Sequence, residues 1–184
     1  MDVFEAIRAR RNVRQFDGRP VPPTDLDRIL EAGRLAPSAG NSQPWDFILV
    51  TDRALLEALA GVWQGARHVA ASAATIALVA PVLADPGRSA MVEFDLGQVT
   101  AHLMLAAAEL GVGSAHAAVR DQDLARQILG LPGDRRLAWL IALGYPATRA
   151  LRPRRHPNRR PLEEIVHLDR WNEVSPPGPP PTGA

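Results

Sequence analysis

The chain has 184 residues, 21 basic and 20 acidic side chains, every basic one an arginine, and no cysteine. That length suits one domain with a real core. The near-neutral charge argues against a nucleic-acid binder, whose footprint is a basic patch, and the lack of cysteine excludes disulfides, thiolate nucleophiles, Fe–S clusters and Cys-ligated zinc.

The opening residues MDVFEAIRARR carry no secretory apolar region, and Val3 to Arg10 reads as a helix with Val3, Phe4 and Ile7 as its apolar stripe. A turn at Asp17-Gly18 and three prolines follow. Thr24 reads as the N-cap of the next helix, with Asp27 completing a capping box and an end near Ala36, before Pro37. After the turn-rich loop PSAGNSQP, Trp45 to Val50 is a strand candidate. Asp52 caps a helix over Arg53 to Ala60.

Thr75 to Ala80 is a second, buried-looking strand. The apolar stretch Val69 to Leu83 is too short to span a membrane, so a soluble cytoplasmic protein is expected. A long apolar helix runs from about Ser89 to Leu110 and ends at Gly111 and Gly113; it belongs in the core or at a subunit interface. Asp121 caps a short helix ending at Gly130, and Leu137 to Leu143 is a third strand. Residues 1–171 are expected to form one domain of α+β class, and the Pro/Gly-rich tail 172–184 to be disordered.

Arg8, Arg10, Arg11 and Arg14 crowd around Asn12 beside a helix end, and Arg152, Arg154, Arg155, Arg159 and Arg160 form a second cluster. The guanidinium fork suits phosphate; a solvated basic face is the plainer reading of the same residues. Ser38, Asn41 and Gln43 give the loop donors and acceptors for the edge of a flat ring, against an ordinary Asx-rich turn. Glu93 and Asp95, on the apolar helix, read as structural carboxylates rather than proton carriers. His116 is evenly balanced between lining a pocket and a structural role. The histidines show no metal-binding spacing, and there is no GxGxxG, Walker A or GxSxG motif.

Four segments carry a resemblance to one family: RRNVRQF at residues 10–16, APSAGNSQPWDFILV at 36–50, AAAELGVGSAHAAV at 106–119 followed by GYP, and RRPLEEIVH at 159–167. In this order they resemble the FMN-dependent nitroreductase family from Val3 to about Trp171. The resemblance implies an α+β fold with a central mixed sheet among helices, in an intertwined homodimer that exchanges C-terminal segments and binds FMN at the interface. It implies that Arg10, Arg11 and Asn12 hold the FMN phosphate, and that Arg14 reaches the pyrimidine edge or ribityl chain. Pro37, Ser38, Ala39 and Asn41 would come from the partner subunit to line the ring. Ala117 and Ala118 would lie near it on the turn after the long helix, and Arg159 and Arg160 would complete the phosphate site. Hydride would arrive from NADH or NADPH and leave by a ping-pong route to a nitroaromatic, quinone or similar acceptor. No catalytic side chain and no metal is implied. A flavin-storage protein of the same fold is the alternative.

The chain also departs from the family pattern. Asn12 and Ala39 stand where serine is usual, and the Ser-Ala-His-Ala-Ala run replaces a bulkier segment. Leu83 to Met91 makes a short connection where longer relatives place lid elements, so an open site is expected.

Overall fold

A computed structural model describes residues 1–155 and 158–171. His156 and the expected disordered tail lie outside the described residues. The chain divides into two units, Met1–Pro153 and Arg154–Ala184.

In the first unit, α1 (Val3–Ala9) opens on a capping box in which the Asp2 carboxylate accepts from the Glu5 N–H at 2.7 Å, and Glu5 accepts from the Asp2 N–H at 3.0 Å. Its expected apolar stripe faces outward: Val3 and Phe4 are 70% and 71% exposed. The second helix, α2 (Pro23–Arg34), begins one residue before the proposed Thr24 cap. Pro23 takes the first helical position, where a missing N–H is harmless, so Thr24 falls inside the first turn. Strand β1 (Asp46–Val50) leads to α3 (Arg53–Leu59), whose Asp52 cap accepts from the Leu55 N–H at 2.9 Å.

After β2 (Ala74–Pro81) comes α4 (Pro86–Glu109), capped by Asp85 through the Arg88 N–H at 2.6 Å. The helix starts earlier than expected, so most of the short connection Leu83 to Met91 is its first turns. The segment after the long helix, expected as a turn, is a fourth strand, β3 (Gly113–Ala118). Its glycine, serine and alanines have little intrinsic strand preference; pairing with a neighbour decides. The chain continues through α5 (Gln122–Leu129), capped by Asp121, to β4 (Arg135–Gly144).

The sheet order is β1-β2-β4-β3, and all neighbouring strands are antiparallel. Among the described residues, parallel pairing occurs at an isolated bridge between Asn12 and Ser114. The period-two alternation of a strand divides the core. Ile76, Leu78, Ile141 and Leu143 pack with Ile29 of α2 and with Leu96, Val99 and Leu103 of α4. On the opposite face Ala77, Val79, Leu137 and Leu140 meet Leu56 and Leu59 of α3 and Ala125 of α5. The result is an α+β layering with the sheet buried between helices.

One end of this sheet positions the arginine segment. Gly113 and Gly144 are register partners. A Cβ on Gly113 would lie 2.8 Å from Val13 Cβ and 3.0 Å from the Gly144 carbonyl oxygen; one on Gly144 would lie 2.7 Å from Phe16 Cδ1. Two glycines therefore leave a notch into which Val13 and Phe16 press. The Val13 N–H donates to the Ser114 carbonyl at 2.9 Å, and the Asp17 N–H to that of Tyr145 at 3.0 Å. The Ala147 N–H donates back to the Gln15 carbonyl at 3.0 Å. Residues 10–16 are thus laced to the sheet at both ends. Gly113→Ala should destabilise the fold by about 1–3 kcal/mol, the usual range for overpacking, as measured by urea unfolding; an unchanged midpoint would show that the notch has slack.

Candidate functional site

Beside the laced segment, within the first unit, lies a cleft of about 800 Å³. Arg14 enters from residues 10–16, while His116 and Ala118 come from β3 and Trp139 from β4. The remaining wall is a 3-10 segment, Gln64–Ala71, with Trp63 before it; it supplies Gln64, Arg67 and His68. A Cβ on Gly65 would meet the Trp63 ring at 2.2 Å, so this glycine lets the indole fold over the backbone. Arg53 holds the far end of the segment, donating to the carbonyl of Ser72 at 2.8 Å and to that of Ala70.

No acidic side chain lines the cleft among the described residues. Burial, reinforced by the charges of Arg10 and Arg14, holds His116 below the usual histidine value. Burial is also the main cause for His68, where Arg14 and His116 add to it and backbone contacts with Ala115 and Gly65 oppose it. His116 Nδ1 and His68 Nε2 are buried without hydrogen-bond partners. The rings of His116 and Trp139 meet edge to face, centroids 5.7 Å apart. Positive charge, two indoles and unsatisfied imidazole nitrogens in a space of this size suit a flat ligand carrying negative charge.

The structure gathers part of the expected residue set. Arg14 and Ala118 line the cleft, and Arg10 is close enough for its charge to bear on His116. Asn12 bridges to Ser114. Arg11 turns elsewhere and donates to the carbonyls of Arg149 and Ala150. The Ala117 side chain is buried in the core on the other face of β3 from Ala118. Arg159 and Arg160 belong to the second unit, where Arg159 donates to the Asn158 carbonyl at 2.7 Å and Arg160 to that of Glu164 at 2.7 Å.

Pro37, Ser38, Ala39 and Asn41 do not line the cleft of their own chain. Their loop is nevertheless firmly built. Asn41 and Gln43 adopt left-handed backbone, with φ of 55° and 47°. The conformation is held by the Gln43 N–H donating to Ser38 Oγ at 2.9 Å and by the Gln43 amide donating to the Asn41 carbonyl at 3.2 Å. Asp95 on α4, 2% exposed, accepts the Ala39 N–H at 3.2 Å. Both helix carboxylates thus have structural partners, since Glu93 pairs with Arg136. Left-handed non-glycine residues held in this way commonly mark functional loops.

Sequence reasoning missed Trp63, Gln64, Arg67 and Trp139. Trp139 is hidden inside an apolar strand, and WQGARH matches no recognised motif; its one signal is a polar, aromatic interruption just before a buried strand.

The sequence matches the Nitroreductase family profile over residues 7–145. It is 34% identical over 150 residues to an Archaeoglobus fulgidus protein provisionally named NADH dehydrogenase/NAD(P)H nitroreductase, spanning 79% of this chain and 86% of the relative. It is 30% identical to a Thermus thermophilus NADH dehydrogenase, spanning 90% of this chain and 95% of the relative. A nitroreductase family protein from Clostridium difficile 630 superposes with a TM-score of 0.79 at 26% identity, spanning 93% of this chain and all of the other. The chain belongs to the nitroreductase family, and its fold is the fold of that family.

Asp95→Ala should cost about 0.5–1.5 kcal/mol, the usual net worth of a hydrogen bond, since the Ala39 N–H it releases belongs to an exposed residue. Urea unfolding measures it, and faster amide exchange at Ala39 should accompany it. Unchanged exchange would mean that the loop does not depend on Asp95.

Proposed function

We propose that the cleft binds FMN and that the protein is an oxidoreductase passing electrons from NADH or NADPH to nitroaromatic, quinone or similar small acceptors. The observation that carries this reading is a cleft with arginines, two indoles and no carboxylate in a member of the nitroreductase family. The fold is shared with an FMN-dependent nitroreductase from Clostridium difficile R20291, at a TM-score of 0.79 and 22% identity. The names of the Archaeoglobus and Thermus relatives support a nicotinamide donor.

The residues present fit the group. Arg14 and Arg67 offer charged donors, with Arg10 adding positive potential, and Trp63 and Trp139 offer flat apolar faces. In this reading Arg10 and Asn12 serve the phosphate end, with Arg11 adding its backbone, while Arg14 serves the pyrimidine edge. The backbone at Ala117 and Ala118 borders the ring. FMN, when bound, supplies the redox chemistry. The protein binds it, orients it and places positive charge where reduction adds negative charge. Donor and acceptor use the same space in turn, so a ping-pong order follows.

A homodimer completes this reading, with residues 1–171 acting as one domain. On α4, Met91 and Phe94 are 53% and 71% exposed, and on α1 Val3 and Phe4 are 70% and 71% exposed. In the second unit Leu162, Leu168 and Trp171 are exposed as well. Apolar surface of this kind marks an interaction face. A partner covering it would bring its own Pro37–Asn41 loop, too remote to line its own cleft, to the flavin of the first subunit.

Oxidation of NADH or NADPH with a quinone or nitroaromatic acceptor should give parallel double-reciprocal lines. Arg14→Ala should weaken FMN binding roughly 10- to 100-fold, the loss of a hydrogen bond to a charged group, as measured by quenching of flavin fluorescence. An FMN-loaded protein inert with both donors and all acceptors would overturn the proposed activity.

A further inference from the structure

His116 is the polar group in the cleft to which the proposed redox function gives no task. It sits opposite Ile141 in the β3–β4 register, its ring set against Trp139 at an interplanar angle of 76°. The residue lines the cleft and is partly exposed, yet its Nδ1 has no partner. The charged and titratable groups around it come from two elements, with a third packed against it. Residues 10–16 bring Arg10 and Arg14, and the 3-10 segment brings Arg67 and His68; β4 contributes the uncharged Trp139. Its own strand carries no other titratable side chain. No carboxylate lines the cleft among the described residues, so the protein itself provides no counterion there.

We propose that His116 is a further binding residue of this cleft, taking up one proton as FMN is seated and thereby becoming a charged donor to the anionic ligand. This rests on the FMN reading of the cleft. Without a ligand, burial and the neighbouring guanidinium charges keep the imidazole neutral. A seated anion acts on the charge part of that balance, while burial, its largest cause, remains. It offsets the charge of Arg10 and Arg14 and accepts a hydrogen bond from the imidazole where the residue lines the cleft, and both effects favour the imidazolium. The proton comes from solvent, and no heavy-atom bond changes. His68 is a weaker candidate: it is 8% exposed and already has backbone contacts with Ala115 and Gly65. Linkage requires that a group protonated on binding makes binding tighter as pH falls. The family pattern gives no reason to expect a histidine here; it follows from this chain's own Ser-Ala-His-Ala-Ala run.

The test is calorimetry of FMN binding near pH 7 in buffers of differing ionisation heat. Phosphate, with a second pKa near 6, is then mostly dianionic and contributes little. The wild type should take up about half to one proton per FMN, and His116→Asn and His116→Gln close to none, while His68→Asn keeps the uptake. Flavin fluorescence should show the affinity ratio of wild type to His116→Asn rising as pH falls, by at most about 10-fold per pH unit. Wild-type binding without proton uptake would overturn the proposal, without recourse to any variant. Equal uptake in the His116 variants, or its loss only in His68→Asn, would overturn it while leaving the FMN site in place. Failure of the wild type to bind FMN at any pH would remove the functional reading and this inference together.

Discussion

An arginine at the wall of a cleft that no carboxylate lines among the described residues is a charge the fold must position. Arg14 is that residue, and the glycine notch at Gly113 and Gly144 positions it. Val13 and Phe16 press into the notch while backbone hydrogen bonds tie residues 12–17 to β3 and to residues 145–147. Arg14, held between these two anchors, lines the cleft. The strand that begins at this notch also supplies His116 and Ala118, so backbone lacing and ligand chemistry share β3.

The other wall follows from a different local device. The Gln64–Ala71 segment is held at its far end by Arg53, and its near end depends on Gly65 leaving room for Trp63. Three elements distant in sequence therefore converge on one positively charged, aromatic space. The structure also separates what the motif order had grouped together. The 37–43 loop holds two non-glycine residues in left-handed backbone and is tied to Asp95, yet it does not line its own chain's cleft.

Much of this was legible from sequence where a local rule governs. Asp52 and Asp121 cap the helices assigned to them, and Gly130 closes α5 in left-handed backbone at φ 65°. Strand β2 was legible as a short buried apolar run and α4 as a long, mostly apolar helix bound for the core. Thr24 lost its capping role because Pro23 fits the first helical turn better than the capping-box pattern indicated. Strand β3 escaped notice because its small residues carry no strand signature and acquire their conformation from β4. Within the site, Arg14 and Ala118 were reached through the family motifs. Arg67, Gln64 and the two tryptophans were not, since only the three-dimensional packing of a motif-free segment brings them beside Arg14. Ala117 and Ala118 show how a strand divides neighbours: the first fills the core, and the second faces the cleft.

The account joins a bound flavin to a nicotinamide donor, and the join is what separates an enzyme from a flavin-storage protein of the same fold. The most direct measurement is the visible spectrum of the FMN-loaded protein under anaerobic conditions before and after addition of NADH or NADPH. The account predicts that the flavin band bleaches with at least one donor and returns on addition of a quinone or nitroaromatic acceptor. A band that persists with both donors would contradict it.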